Sequence, residues 1–257
     1  MSNPFLIVNH HRSGSNFMCR VIKTNKEIRC LNEPLSLHMN FFKEHDLESM
    51  NDKQMSRTMN KTERCYLENL REYLLSTPTI SGLKETCLFG KMNWITEYIS
   101  GINVIHIVRN PFAVINSCLK NDIWLQWKYD EMINKYFDKK NSIIQNPLEL
   151  CVQSWKIRYE LFKKEMENKE YLQMRLEDVI FAPEENLGKI MMYIGSDVNN
   201  EQIELIKHSY ESERGKSYSI YRNKSTILDG WKNNLRGDQI EYIENELHEE
   251  LQELGYV

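Results

Sequence analysis

The sequence predicts an α/β fold in which helices cover both faces of a parallel β-sheet. Two apolar runs, residues 5–8 and 104–108, are too short for helices and are typical of strands that are buried on both faces. Each run leads through a polar turn into a helical pattern, and this alternation favours a parallel sheet. A chain of 257 residues is long enough for one such domain.

The remaining elements follow the same alternation. Short apolar segments bounded by polar turns predict strands at 27–31, 79–83 and 171–176. Helices are predicted where apolar residues recur at helical spacing, and Pro111 and Pro183 stand where a first helical turn tolerates proline. The predicted helices cover residues 17–23, 94–100, 112–120, 148–168, 183–194 and 238–254, and an apolar stripe between residues 66 and 74 indicates another.

Composition and charge exclude several functional classes. The net charge is −4 and both signs are interspersed, so no electrostatic case for nucleic acid or an anionic membrane follows. The N-terminal residues lack a signal-peptide pattern, and the first apolar run is too short to span a bilayer, which predicts a cytoplasmic protein. The six cysteines are scattered singly, without histidines at metal-ligand spacing, so we expect buried or half-buried thiols and no metal.

The turn after the first strand has the features of an anion site. It reads Arg12-Ser13-Gly14-Ser15 and leads directly into a helix. Glycine lets the backbone approach a ligand, while the helix start offers unpaired N–H groups and the positive end of its dipole. The arginine and two hydroxyls add donors, and phosphate is the simplest ligand. The turn is not a Walker A loop, because it lacks the leading glycine and the Gly-Lys pair.

A second anion site is predicted at another strand-to-helix corner. Arg109 follows the strand at 104–108, and Ser117 lies eight residues further on, two turns into the next helix. A strand end and a helix can close around one phosphate from two sides.

Carboxylates stand at the carboxyl ends of two other strands. Glu33 follows the strand at 27–31, and Glu85 lies in Lys84-Glu85-Thr86 after the strand at 79–83. In open parallel sheets ligands collect outside these strand ends, so Glu33 is a candidate for chemistry. The alternative is a solvated glutamate beside a turn.

Together these motifs resemble the sulfotransferases that use 3′-phosphoadenosine 5′-phosphosulfate (PAPS). Arg12-Ser13-Gly14-Ser15 is similar to the 5′-phosphosulfate loop of carbohydrate and bacterial members, and Glu33-Pro34-Leu35 with His38 resembles the carbohydrate 6-O-sulfotransferase pattern. Arg109 and Ser117 match the family's 3′-phosphate motif in type and spacing. Three further blocks resemble family segments, namely residues 82–86, residues 175–179 with Pro183, and residues 230–235.

The resemblance implies one sulfotransferase domain over residues 1–257, with a P-loop-like three-layer sandwich as its fold. It implies that PAPS is the sulfuryl donor, that adenosine 3′,5′-bisphosphate (PAP) is the product, and that no metal is required. The residues that it places around the 5′ end of the donor are Arg12, Ser13, Gly14, Ser15, Asn16 and Phe17, with Arg12 also acting on the leaving oxygen. Arg109 and Ser117 would bind the 3′-phosphate.

The implied general base is Glu33, with Glu85 and His38 as second choices and His11 as a third. Two departures from the family pattern affect the donor site. Leu176 replaces the tyrosine usual beside adenine, and the family's Arg-Lys-Gly triplet is absent. The nearby cations Arg222 and Lys224 are candidates to replace the triplet, and Trp231 belongs to the same donor-binding block.

Residues 39–76 and 121–147 fall outside the resemblance, and we expect these variable segments to cap the acceptor. The aromatic residues of 121–147 are typical of a pocket for a small or medium molecule, such as a sugar, a phenol or a natural-product alkaloid. The sequence does not indicate the oligomeric state. Two other functions stay open, a nucleotide-dependent kinase-like phosphotransferase and a non-catalytic nucleotide-binding protein.

Overall fold

The computed structural model describes residues 3–39, 59–86, 88–128, 144–210 and 224–257, and its centre is a parallel sheet. The strands are β1 (Phe5–Asn9), β2 (Ile28–Asn32), β3 (Ile80–Glu85), β4 (Asn103–Val108) and β5 (Tyr171–Arg175), in the order β2-β3-β1-β4-β5. Every neighbouring pair is parallel. The predicted α/β fold is confirmed, and the predicted strands overlap the observed ones.

Helices cover both faces of the sheet, which gives three layers. Side chains alternate along β1, so that Phe5 and Ile7 join one core while Leu6 and Val8 join the other. Within the described residues the helices, in chain order, are α1 (Ser15–Thr24), α2 (Pro34–His38), α3 (Lys61–Ser76), α4 (Met92–Tyr98), α5 (Pro111–Lys120), α6 (Ile123–Lys128), α7 (Pro147–Met166), α8 (Leu176–Phe181), α9 (Pro183–Tyr193), α10 (Asn200–Ser209), α11 (Lys224–Leu228), α12 (Gly237–Glu246) and α13 (His248–Glu253).

The strand order places two strand-to-helix corners side by side. β1 lies between β3 and β4, and its residue Val8 is in register with Glu85 and His106. The chain leaves β1 towards β2 on one side and later enters β4 on the other, so the strand order reverses here. In open α/β sheets such a switch point is where ligands bind, outside the carboxyl ends of the strands.

The structure corrects the predicted helices at several places. The single helix predicted over 238–254 is two helices, which meet at the buried Leu247 with φ and ψ of −115° and 19°. α2 replaces the turn predicted after Glu33, and α6, α8, α10 and α11 have no counterpart in the prediction. Short helices show little periodicity, and α10 is marked mainly by the capping box between Asn199 and Gln202.

The cysteines agree only in part with the expectation of buried or half-buried thiols. Cys118 and Cys151 are buried, whereas Cys65 is exposed. Cys19 of α1 and Cys30 of β2 are buried but not isolated, because their Sγ atoms lie 3.3 Å apart. The sixth cysteine, Cys87, lies outside the described residues.

The two expected cap segments, 39–76 and 121–147, are described in part. Residues 40–58 and 129–143 lie outside the described residues. The apolar stripe at 66–74 forms part of α3, as predicted, and α6 lies in the second segment. Within the described ranges, no helix combines the length and the apolar character needed to cross a membrane.

Glu165 provides a test of this fold through its pH dependence. Its buried carboxylate accepts hydrogen bonds from the backbone N–H groups of Gly90 and Asn93, at 2.8 Å and 3.4 Å, and burial raises its pKa to about 7. A raised pKa means that the folded state keeps the proton that the unfolded state loses above about pH 4.5, so this group costs stability as pH rises towards 7. We therefore compare the free energies of unfolding of Glu165→Gln and the unsubstituted protein. Their difference should rise in favour of Glu165→Gln by about 2–3 kcal/mol between about pH 5 and pH 8.

The measurement is urea unfolding of both proteins at several pH values. The informative quantity is the difference between the unfolding free energies of the two proteins at each pH. Buried His106 makes stability depend on pH in the opposite direction, but it does so in both proteins. Burial lowers its pKa to about 4, so its contribution to stability is lost as pH falls below about 6.5. A pH-independent difference between the unfolding free energies would contradict the assignment of the raised pKa to Glu165.

Candidate active site

The loop between β1 and α1 contains two residues with left-handed backbone. Arg12 has a φ of 66° and Gly14 a φ of 82°. The left-handed conformation favours glycine at position 14, and a Cβ atom there would lie 2.6 Å from Cδ2 of Leu176, so a larger residue would also displace that side chain. α1 begins at Ser15, and the first N–H groups of a helix have no partner within it. The loop thus presents backbone donors at the carboxyl edge of the sheet.

The hydroxyl of Ser13 is buried in this loop. The residue is 1% exposed, and its Oγ has no hydrogen-bond partner among the described residues. A buried polar group left without a partner costs about 1–3 kcal/mol, and a bound oxyanion would remove that cost. Ser15 and Phe17 are also buried, whereas Asn16 is exposed. The donor set therefore fits a phosphate.

The strand-to-helix connection after β4, where Arg109 lies, is hydrogen-bonded directly to the loop between β1 and α1. Arg109 donates from Nη1 to the carbonyl oxygen of Arg12 at 2.9 Å. Arg12 donates from Nε to Oγ of Ser117 on α5, also at 2.9 Å. Arg109 also donates from Nη2 to the carbonyl oxygen of Ile227 at 2.8 Å, which ties the C-terminal segment to the same place. Both arginines predicted from separate motifs therefore belong to one cluster.

A third group of polar residues lies where β2 and β3 end. The carboxylate of Glu33 accepts hydrogen bonds at Oε1 from Lys84 Nζ, at 2.6 Å, and from Thr86 Oγ1, at 2.9 Å. Lys84 is 1% exposed and also donates to Oδ1 of Asn16 in the phosphate loop, at 3.0 Å. Lys84 therefore connects the loop to the carboxylate.

The backbone and the charge state of Glu33 are both set by this arrangement. Its φ of 52° is left-handed, and its N–H donates to the carbonyl oxygen of Lys84 at 2.7 Å. Burial by itself raises the pKa of Glu33, but the hydrogen bonds from Lys84 and Thr86 and the charges of Lys84 and His11 outweigh it. The net result is a pKa below the ordinary value, so Glu33 is ionised at neutral pH.

The other candidate bases have different surroundings. Glu85 is fully buried and accepts from the N–H groups of Leu35 and Ser36 and from the Ser36 hydroxyl, so it holds the start of α2. Burial raises its pKa to about 7. His38 is exposed, with its ring 5.1 Å from that of Tyr66. His11 is half-buried and close enough to Glu33 to lower its pKa.

Three residues nearer the C-terminus, Arg222, Lys224 and Trp231, were predicted to bind the donor. Lys224 places its ammonium 4.5 Å from the ring centroid of Phe181. Trp231 stacks on Phe112 of α5 at 4.5 Å, and its buried Nε1 has no hydrogen-bond partner among the described residues. Arg222 lies outside those residues.

Two residues of this region were given no role by the sequence. Lys84 was part of a family-like block, but its contact with both Asn16 and Glu33 follows from the register of β2 and β3, in which Asn32 pairs with Lys84. Tyr210 packs edge-on against Phe17 with ring centroids 5.1 Å apart, and burial raises its pKa. Lys84 could have been identified in the sequence because it is a polar residue directly after a predicted strand. The sequence contains no comparable signal for Tyr210.

Comparison with known proteins supports the fold. No family model matches the sequence, and no curated protein shows significant sequence similarity to it. Among solved structures, the sulfotransferase domain from the curacin biosynthetic pathway is 14% identical with a TM-score of 0.58, over 96% of this chain and 98% of that one. The sulfotransferase domain from the Synechococcus PCC 7002 olefin synthase is 16% identical with a TM-score of 0.60, over 95% of both chains.

Mouse sulfotransferase SULT7A1 complexed with PAP is 14% identical with a TM-score of 0.57, over 97% of this chain and 84% of that one. At these identities the similarity shows the fold alone. The chain therefore has the P-loop-like sulfotransferase fold, as the resemblance implied.

Proposed function

We propose that the protein is a PAPS-dependent sulfotransferase that transfers a sulfuryl group to a hydroxyl or amine of a small-molecule or carbohydrate acceptor. The observation that carries this proposal is that the two predicted phosphate sites, the loop after β1 and the strand-to-helix connection after β4, are joined by hydrogen bonds. The Arg109 guanidinium binds the carbonyl of Arg12, and the Arg12 guanidinium binds Ser117. Two anion sites in one cluster suit a nucleotide with phosphates at both its 5′ and 3′ positions.

In this proposal the loop and the second corner hold the donor at its two ends. The buried hydroxyls of Ser13 and Ser15, with the first N–H groups of α1, hold the 5′-phosphate. Arg109 and Ser117 hold the 3′-phosphate. Phe17 and Tyr210 form an aromatic surface beside the loop, which suits the adenine ring. Lys224 and Trp231 close the C-terminal side.

Sulfuryl transfer depends mainly on position and charge, as phosphoryl transfer does. The acceptor oxygen or nitrogen forms a bond to sulfur while the bond between sulfur and the bridging phosphate oxygen breaks. The electron pair of the broken bond leaves with PAP. Lys84 lies between the loop and Glu33, so its ammonium can stabilise the negative charge that develops there.

The proton of the acceptor goes to Glu33. Lys84 and Thr86 both bind Oε1, and no described residue donates a hydrogen bond to Oε2. The side chain is 28% exposed, so Oε2 is open to the acceptor while Oε1 is fixed. Arginine and lysine supply the countercharge, and the chemistry proposed here uses no metal.

The acceptor would lie beside Oε2 of Glu33, and the variable segments 39–76 and 121–147 remain its predicted cap. Aromatic residues of these segments would form its walls, which suits a sugar, a phenol or an alkaloid. Two of the similar structures belong to a biosynthetic pathway and an olefin synthase, and this supports natural-product chemistry.

The test of the proposal is calorimetric binding of PAP, 5′-AMP and Mg-ATP, followed by transfer from labelled PAPS to a panel of phenols, sugars and amines. We expect PAP to bind at least about tenfold more tightly than 5′-AMP, because it adds a doubly charged group at the Arg109 corner. Transfer to at least one acceptor class should follow. Tight binding of Mg-ATP without PAP binding would favour the kinase-like function, and PAP binding without any transfer would favour a binding protein.

A further inference from the structure

The carboxylate of Glu85 holds the backbone of the segment that carries Glu33. Its Oε1 accepts hydrogen bonds from the N–H groups of Leu35, at 2.6 Å, and of Ser36, at 3.4 Å. Its Oε2 accepts a hydrogen bond from the Ser36 hydroxyl, at 2.5 Å. Glu85 is fully buried, and in such a place hydrogen bonds to a carboxylate are strong. Glu85 therefore fixes the first turn of α2.

The residues on either side of Glu85 hold the same segment from the other face of the sheet. Lys84 and Glu85 are successive residues of β3, so their side chains point to opposite faces. Lys84 and Thr86 bind the Glu33 carboxylate, and the carbonyl oxygen of Lys84 accepts from the Glu33 N–H at 2.7 Å. The chain from residue 33 to residue 36 is thus held at the end of β3 from both sides.

The backbone of Glu33 requires such support. Its φ and ψ are 52° and 42°, and a residue other than glycine keeps this left-handed conformation only where its surroundings hold it. The N–H of Leu37 donates to the carbonyl oxygen of Glu33 at 3.0 Å, so α2 starts directly from Glu33. A shift of the first turn of α2 would therefore move the Glu33 carboxylate relative to Lys84.

We infer that Glu85 is a positioning residue for Glu33, because its grip on the start of α2 sets the place from which the Glu33 carboxylate faces the acceptor. The inference rests on the proposed function and gives Glu85 a role other than that of the base. Glu85 is fully buried, and both of its oxygens accept hydrogen bonds from α2. It therefore acts through the backbone and does not touch the acceptor.

The experiment separates the reach of the side chain at position 85 from its charge. Glu85→Gln keeps the length and an oxygen for the two N–H groups, and the Ser36 hydroxyl can turn to accept from the new amide. Glu85→Asp keeps the charge but withdraws the oxygens by one methylene, and Glu85→Ala removes both. For each protein we would measure turnover at saturating labelled PAPS and PAP affinity by calorimetry.

Glu165→Ala is the matched control. Glu165 is a second buried carboxylate that accepts hydrogen bonds from backbone N–H groups, those of Gly90 and Asn93. It lies near the end of α7, from which the chain enters β5, and so at the edge of the sheet opposite the proposed site. Its replacement should leave turnover unchanged, which shows that the loss of a buried carboxylate alone does not lower turnover.

We expect Glu85→Ala to lower turnover about 10- to 100-fold, since a displacement of about 1 Å at the reacting groups has an effect of this size. Glu85→Gln should keep turnover within about threefold of the unsubstituted protein, and Glu85→Asp should be slower than Glu85→Gln. PAP affinity should change less than about threefold in all three variants, because the effect is on the reaction and not on donor binding. If Glu85→Ala is not folded by circular dichroism, the order of Glu85→Asp and Glu85→Gln decides.

A general base at position 85 would give the opposite order, because aspartate can take a proton and glutamine cannot. Higher turnover in Glu85→Asp than in Glu85→Gln would therefore overturn the inference. Turnover of Glu85→Ala within about threefold of the unsubstituted protein would overturn it as well, since Glu33 would then be positioned without Glu85.

Failure of the proposed function looks different, because the unsubstituted protein would then transfer no sulfuryl group to any acceptor. NMR titration of the Glu33 carboxyl carbon still tests the positioning in that case. Lys84, Thr86 and His11 lower the pKa of Glu33, and Glu85→Gln and Glu85→Ala remove the same neighbouring charge. A higher pKa of Glu33 in Glu85→Ala than in Glu85→Gln would show that Glu33 has moved away from Lys84, and equal values would overturn the inference.

Discussion

Replacement of Glu33 by glutamine is expected to lower turnover with PAPS by about 10²–10⁴-fold, the usual effect of removing a general base. Glutamine retains an acceptor oxygen for Lys84 and Thr86, so the local hydrogen bonds at Oε1 are conserved. It cannot take the acceptor's proton. The measurement is the rate of labelled transfer at saturating PAPS, with PAP affinity determined separately by calorimetry.

Glu27→Gln is the matched control, because Glu27 is exposed and precedes β2, whereas Glu33 follows it. It should leave turnover unchanged. A Glu33→Gln protein that binds PAP normally and keeps turnover within a few-fold would show that the base is another residue.

The pH profile distinguishes the candidate bases. Glu33 has a pKa below its ordinary value, so the base form is lost, and the rate falls, only as pH drops below about 4.5. Glu85 has a pKa of about 7 and would give an acid limb near neutrality. A plateau that extends below about pH 5.5 therefore supports Glu33 over Glu85.

The sequence predicted the elements whose signals are local. The strands are apolar runs ended by polar turns, and Arg12 to Ser15 and Arg109 to Ser117 stand at strand-to-helix corners in the sequence itself. Parallel pairing then brings such corners to one edge, which is why a site at the carboxyl ends could be expected. The segment bounds were less well predicted, and the break at Leu247 depends on its packing in the core.

The sequence could not predict which groups bond to which. The contact between Arg12 and Ser117 joins residues 105 positions apart and depends on the direction of one side chain. Glu85 and Glu33 looked alike as carboxylates at strand ends, because pattern alone does not distinguish them. The structure separates their surroundings, since Glu85 is buried against the start of α2 while Glu33 is partly exposed and paired with Lys84.

Replacement of Lys84 by methionine is the second substitution with a large expected effect. The ammonium is almost fully buried and connects Asn16 of the phosphate loop to Glu33. Loss of a positioned donor at developing charge typically costs about 10²–10³-fold in turnover, and methionine fills a similar volume without the charge. We expect a loss of this size in transfer from PAPS.

The Lys84→Met protein also carries a signature that a purely structural role for Lys84 would not give. Without the ammonium, burial is the main influence on Glu33 and raises its pKa, although Thr86 and His11 still oppose it. The acid limb of the residual activity should therefore move to higher pH, and the double variant with Glu33→Gln should be little slower than either single variant, because both act on one step. An acid limb that stays in place, together with multiplicative losses in the double variant, would show that Lys84 and Glu33 act independently.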